Sequence, residues 1–97
     1  MDNKQKGGRK MKLLLIIPAY NEEECIENVI NNIIENYSQF DYVIVNDGSK
    51  DRTSDICHKN GYNIIDLPVN LGLAGAFQTG MKYAYYNNYD YAIQFDA

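Results

Sequence analysis

The 97-residue sequence predicts an α/β fold in which helices flank one parallel sheet. Three observations carry that expectation. Four short apolar runs, at residues 13–17, 42–45, 62–67 and 91–95, alternate with three segments of helical character. Such alternation marks βαβ units, whose right-handed crossovers make neighbouring strands parallel. The first two runs also empty straight into polar loops, as strands do at the ligand-binding edge of an open sheet.

The basic start precedes all of these elements. Lys4, Lys6, Arg9, Lys10 and Lys12 against Asp2 give +4 over the first twelve residues, and residues 1–11 read as a flexible leader. Attraction to an anionic membrane is a second reading, at about 1 kcal/mol per cation. A secretory signal is rejected. The apolar run at 13–17 falls short of the roughly 7–15 residues such a segment needs, and acids follow at once.

Residues 12–97 then read as one small domain. After the strand at 13–17, Cys25, Ile26, Val29, Ile30, Ile33, Ile34 and Tyr37 recur at helical spacing and predict an apolar stripe. Asn21 is the expected N-cap, with Glu22, Glu23 and Glu24 favouring the positive end of the helix dipole. The strand at 42–45 leads to a second helix at 53–59, capped by Ser49 or Asp51 and stopped by Asn60 and Gly61. A strand at 62–67 closes on Pro68. The third helix is expected over 73–87, with Ala74, Phe77, Met81, Ala84 and Tyr85 inward, and the last strand, 91–95, ends on Asp96.

Composition narrows the function classes. Hydrophobic residues make up 45% of the chain, so wholesale disorder is excluded. Beyond residue 12, four cations face twelve acids, and that −8 body argues against nucleic acid as a partner. No stretch approaches the roughly 20 apolar residues of a membrane span. Cys25 and Cys57 lack metal-ligand or redox spacing and read as reduced thiols, which points to the cytoplasm. His58 reads as a solvated histidine at a helix end.

The chemistry gathers at the strand ends. The Asp47 carboxylate can accept from a ring N–H of a nucleotide base, or Asp47-Gly48-Ser49 can be turn chemistry alone. Tyr20 offers a flat face to a base, and Pro18 stiffens the loop beneath it. Glu22 can bond ribose hydroxyls, or simply favour a helix start. Gly72, Gly75 and Gly80 dot the entry of the third helix, where backbone N–H groups can face a diphosphate. Asp96 can help hold a divalent cation, given a second oxygen donor nearby.

Taken together, Ile17-Pro18-Ala19-Tyr20-Asn21-Glu22-Glu23, Val45 to Thr53, Asn70-Leu71-Gly72 with Gly80, and Phe95-Asp96-Ala97 resemble the donor-binding half of a family 2 inverting glycosyltransferase. The closest flavour is the bacterial polyprenyl-phosphate or cell-wall polysaccharide branch. The resemblance implies a Rossmann-like GT-A fold with strand order 3-2-1-4, truncated after its N-terminal half. It implies that Pro18, Ala19 and Tyr20 line the base pocket, Glu22 reaches the ribose, and Val45 and Asp47 contact the base. Gly72 and Gly75 would serve the donor diphosphate. Asp96 would be the first acid of the family's Asp-x-Asp motif, with Ala97 beside it, placing Mg²⁺ or Mn²⁺ at Asp96. The second acid would follow Ala97, and no catalytic base falls within this chain. Nor does the stretch from Asn70 to Gly80 carry the Lys or Arg that many relatives have.

The implied activity is transfer of a sugar from a nucleotide diphosphosugar to a saccharide or polyprenyl-phosphate acceptor, at the cytoplasmic face of a membrane. The 97-residue chain alone is expected to be catalytically incomplete, and its fourth strand, left as an edge, to pair two copies. Two rivals stand against this. A nucleotidyltransferase would carry a glycine-rich, Arg-containing loop after the first strand, and Pro18-Ala19-Tyr20-Asn21 is not that. A non-catalytic nucleotide-binding or interaction module would keep the fold without the chemistry.

Overall fold

The computed structural model describes residues 10–95; Asp96, Ala97 and most of the basic leader lie outside that range. Seven elements alternate as expected: β1 (Leu13–Ala19), α1 (Ile26–Asn36), β2 (Asp41–Asn46), α2 (Thr53–Lys59), β3 (Ile64–Asp66), α3 (Gly72–Tyr86) and β4 (Tyr91–Gln94). The four strands form one sheet in the order β3-β2-β1-β4, with every pairing parallel. The expected α/β sheet and its order are therefore present.

β1 lies at the centre, and its Leu/Ile run is buried on both faces of the sheet. A continuous apolar run, rather than an alternating one, is what a strand covered on both sides requires. On one face, Leu15, Ile17 and Ile44 pack with Ile26, Ile30 and Ile33 of α1 and Cys57 of α2. On the other, Leu14, Ile16, Val43 and Val45 pack beneath Ala76 and Ala84 of α3.

Several local expectations change. α1 starts at Ile26 instead of just after Asn21, and its N-cap Cys25 makes no side-chain capping bond. Asn21 instead takes φ +53°, in the left-handed region that asparagine tolerates better than most residues. The buried stripe is narrower than the periodicity suggested: Ile26, Ile30 and Ile33 are buried, whereas Cys25, Ile34 and Tyr37 are exposed. β3 keeps only three of its six expected residues.

α3 shows the largest rotation. Its inward residues are Ala76, Gly80 and Ala84, with Phe77 and Tyr83 beside them, whereas Ala74, Met81 and Tyr85 face outward. Gly80 supplies the reason. A Cβ there would lie 2.4 Å from Ile16 Cγ2, so the helix rides directly on β1 at that point. Small residues set the contact, and the bulky ones flank it.

Candidate functional site

The ends of β1 and β2 carry the two loops that sequence reading singled out. Pro18 and Ala19 finish β1, in register with Val45 and Asn46 of β2. The Asp47 N–H donates to the Ala19 carbonyl at 2.8 Å, which fixes the two strand ends side by side. Across that edge runs a cleft of about 320 Å³. Pro18, Ala19, Tyr20 and Glu22 line it from the β1–α1 loop, Asp47 from the end of β2, and Asn70, Gly72 and Leu73 from the entry to α3. Tyr20 is 43% exposed at the rim of this cleft.

Asp47 is buried, yet its charge faces hydrogen-bond donors only. Leu71 N–H donates to Oδ1 at 2.7 Å, and Gly72 N–H and Asn70 Nδ2 donate to Oδ2 at 2.9 and 3.2 Å. The carboxylate thereby caps α3 from another element, where the helix's own N-cap, Leu71, offers no side-chain bond. Hydrogen bonds to a charged group contribute about 1.5–3 kcal/mol each, and the helix dipole adds to them. Two backbone N–H groups at the α3 entry, the region expected to face a diphosphate, are committed to Asp47. A carboxylate has about four lone-pair sites, so the three bonds to this side chain leave one acceptor site of Oδ1 formally unused.

Gly48 makes this arrangement possible. It has φ +71°, and a Cβ there would sit 2.6 Å from both Asn70 N and Val69 C. The β3–α3 connection crosses directly over it.

Other sequence-selected residues sit elsewhere. Val45 is fully buried in the core beneath α3, and its side chain does not reach the cleft. Gly75 lies one turn into α3, facing the Leu71 side chain rather than the cleft. Asp96 and Ala97 lie outside the described residues. Among the described residues, no three His, Cys, Asp or Glu side chains come together to hold a metal.

Sequence reading did not connect the loops around Asn21 and Asp51. Asn21 N–H donates to Ser49 Oγ at 2.9 Å, and Lys50 N–H donates back to Asn21 Oδ1 at 2.8 Å. Arg52 N–H donates to Glu23 Oε1 at 2.8 Å, while Glu23 N–H donates to Asp51 Oδ2 at 3.1 Å. Asn21 and Glu23 therefore tie two loops together instead of starting α1. The N-cap of α2 is Arg52 rather than Ser49 or Asp51 and makes no side-chain bond, while Asp51, one residue earlier, accepts from Thr53 N–H at 2.9 Å. Burial pushes the Asp51 carboxyl up, but bonds from the Thr53 hydroxyl and nearby backbone N–H groups outweigh it and hold it below the usual value. A run of polar residues after a strand was the only available signal.

His58 is exposed but not merely solvated: its Nε2 lies 2.6 Å from Asp66 Oδ2, while Asn46 Nδ2 donates to Asp66 Oδ1 at 2.8 Å. Neither cysteine is in a disulfide; burial pushes the Cys57 thiol up to about 11, which leaves it protonated and unreactive.

With this geometry in place, comparison with known proteins decides the family. The sequence model described as Glycosyl transferase family 2 matches residues 14–97. The chain belongs to that family. It is 34% identical over 90 residues to the poly-beta-1,6-N-acetyl-D-glucosamine synthase of Staphylococcus aureus, covering 88% of this chain and 21% of the synthase. It is 39% identical over 102 residues to the UDP-N-acetylglucosamine–dolichyl-phosphate N-acetylglucosaminyltransferase of Methanococcus voltae, covering 88% of this chain and 40% of that enzyme. A solved mannosyltransferase from Pyrobaculum calidifontis, in complex with GDP-Man and Mn²⁺, superposes with a TM-score of 0.70 at 24% identity, over 78% of this chain and 25% of that one. That likeness establishes the GT-A-like fold. The family 2 chain thus spans well under half the length of these relatives.

Proposed function

We propose that this chain forms the donor-binding half of an inverting glycosyltransferase that moves a sugar from a nucleotide diphosphosugar to a saccharide or lipid-phosphate acceptor. One observation carries the reading: Tyr20, Glu22 and Asp47, from two separate strand ends, line a single cleft. The Tyr20 face accepts the base by stacking, the remaining acceptor site of Asp47 Oδ1 takes a ring N–H, and Glu22 takes ribose hydroxyls. The printed names of the relatives supply the substrate classes: a UDP-sugar with a dolichyl-phosphate acceptor in one, polysaccharide synthesis in another.

The reaction would be one in-line displacement. An acceptor oxygen attacks the anomeric carbon as the nucleoside diphosphate leaves with the bonding pair; a saccharide hydroxyl would give its proton to a carboxylate base outside this chain, whereas a lipid phosphate would attack through an oxygen already ionised. When bound, a divalent cation would neutralise charge on the leaving diphosphate. Asp96 would hold that Mg²⁺ or Mn²⁺, a reading supported by the Mn²⁺ of the solved mannosyltransferase and by a cleft with no Lys or Arg among its described lining residues. The 97-residue chain alone would bind donor without transferring sugar, and the acceptors would place the whole enzyme at the cytoplasmic membrane face. Pairing of two chains through β4, whose Tyr91 and Ile93 are half exposed, belongs to the same reading. A monomer across the micromolar range by light scattering would remove that last part.

Titration calorimetry with UDP, GDP and dTDP, with and without Mn²⁺, tests the proposal. Binding of one nucleotide, weakened at least about tenfold in Tyr20→Ala and Glu22→Gln, is expected. No binding to any of the three would favour a module that keeps the fold without the chemistry.

A further inference from the structure

The β1–α1 loop does not hold itself in place at the cleft. Asn21 sits at φ +53°, a left-handed conformation that asparagine tolerates at some cost, so its own backbone does not fix the loop. α1 does not begin until Ile26, so residues 20–24 lack helical bonds of their own apart from the turn in which Cys25 N–H and Ile26 N–H donate to Glu22 O. Their remaining order comes from the far side of the β2–α2 loop.

Thr53 is the centre of that support. It is fully buried, and its hydroxyl has both roles filled. Glu22 N–H donates to Thr53 Oγ1 at 2.8 Å, and Thr53 Oγ1 donates its proton to Asp51 Oδ1 at 2.6 Å. The second Asp51 oxygen takes Glu23 N–H, and the Glu23 carboxylate returns a bond from Arg52 N–H. The consecutive amides of Asn21, Glu22 and Glu23 are thus gripped by the side chains of Ser49, Thr53 and Asp51. Neither Thr53 nor Asp51 lines the cleft, whereas Tyr20 and Glu22 do.

We propose that Thr53 and Asp51 are positioning residues for the donor site, holding the β1–α1 loop so that Tyr20 and Glu22 face the cleft. The role in donor binding rests on the function proposed above; the grip itself does not. Thr53 is suited to it because one hydroxyl oxygen both accepts from Glu22 and donates to Asp51. Valine has nearly the same shape and neither capacity, while serine keeps both.

The test compares Thr53→Val, Thr53→Ser and Asp51→Asn in the full 97-residue chain, by amide hydrogen exchange and by nucleotide titration. Exchange at the Glu22 and Glu23 amides should rise at least about tenfold in Thr53→Val and return close to the starting rate in Thr53→Ser. Affinity for the nucleotide that binds the unaltered chain should fall about tenfold in Thr53→Val and recover in Thr53→Ser. If Thr53→Val fails to fold, Asp51→Asn at the loop surface carries the same exchange prediction at Glu23. Unchanged exchange at residues 21–23 in the folded variants would overturn the grip. Faster exchange with unchanged affinity would overturn the positioning role. An unaltered chain that binds no nucleotide would overturn the donor reading and the positioning role with it, while the exchange rates would still decide the grip.

Discussion

The two loops that border the cleft are held by opposite means. The entry to α3 is anchored by one buried charge, Asp47, and by a helix drawn tightly onto the sheet through Gly80 and Ile16. The β1–α1 loop instead stands on isoleucine-packed α1 and is tied sideways by many polar bonds to the β2–α2 loop. The contrast teaches that bonds converging on one buried carboxylate, beside a helix packed closely on the sheet, can place one wall of a site. A wall built on a bulkier interface needs a polar clasp.

Substitutions can break either support. The largest effect is expected in the isoleucine layer: Ile30→Ala should cost about 2–5 kcal/mol in urea denaturation, because Ile30 is fully buried between α1 and the sheet. Gly48→Ala combines a left-handed φ with backbone atoms 2.6 Å from the new Cβ. It should cost about 2–4 kcal/mol and loosen the α3 entry, read as faster exchange at the Leu71 and Gly72 amides. Gly80→Ala should cost about 1–3 kcal/mol, since it wedges α3 away from Ile16, and leave the β1–α1 loop unaffected. Equal disturbance of both loops in that variant would erase the distinction between them.

Acid should act on the polar side of the comparison. The Asp51 and Asp66 carboxyls both lie below the ordinary 3.8, burial pushing each up while hydrogen bonds more than compensate. Asp66 owes this to Asn46, His58 and Ser54. A carboxyl depressed in the folded state contributes stability that is present above its unfolded value and lost as pH falls through the lower, folded one. Melting temperature should therefore drop as pH falls below 3.8, and less steeply in Asp66→Asn. Smallest of all, His58→Ala should change stability by under about 1 kcal/mol, because that pair is largely open to water.

Much of the fold could be read from local pattern, because the alternation of apolar runs and helical segments is a nearest-neighbour signal. Ile26, Ile30 and Ile33 announced their face through spacing alone. The face of α3 did not, since Gly80 contributes nothing to apolar periodicity yet decides how close the helix lies to Ile16. Tyr20, Glu22 and Asp47 could be placed at one edge because parallel strands bring their ends together. The bonds from Asp47 to Leu71 and Gly72, and from Glu22 to Thr53, span 24, 25 and 31 residues, and no local pattern encodes them.

Backbone amide shifts on titration with UDP and GDP, in the presence of Mg²⁺, put the proposed donor cleft to the most direct trial. Saturable shifts centred on Tyr20, Glu22, Asp47 and Gly72 are the predicted result. Saturable binding that leaves these amides still while moving those of another surface would contradict it.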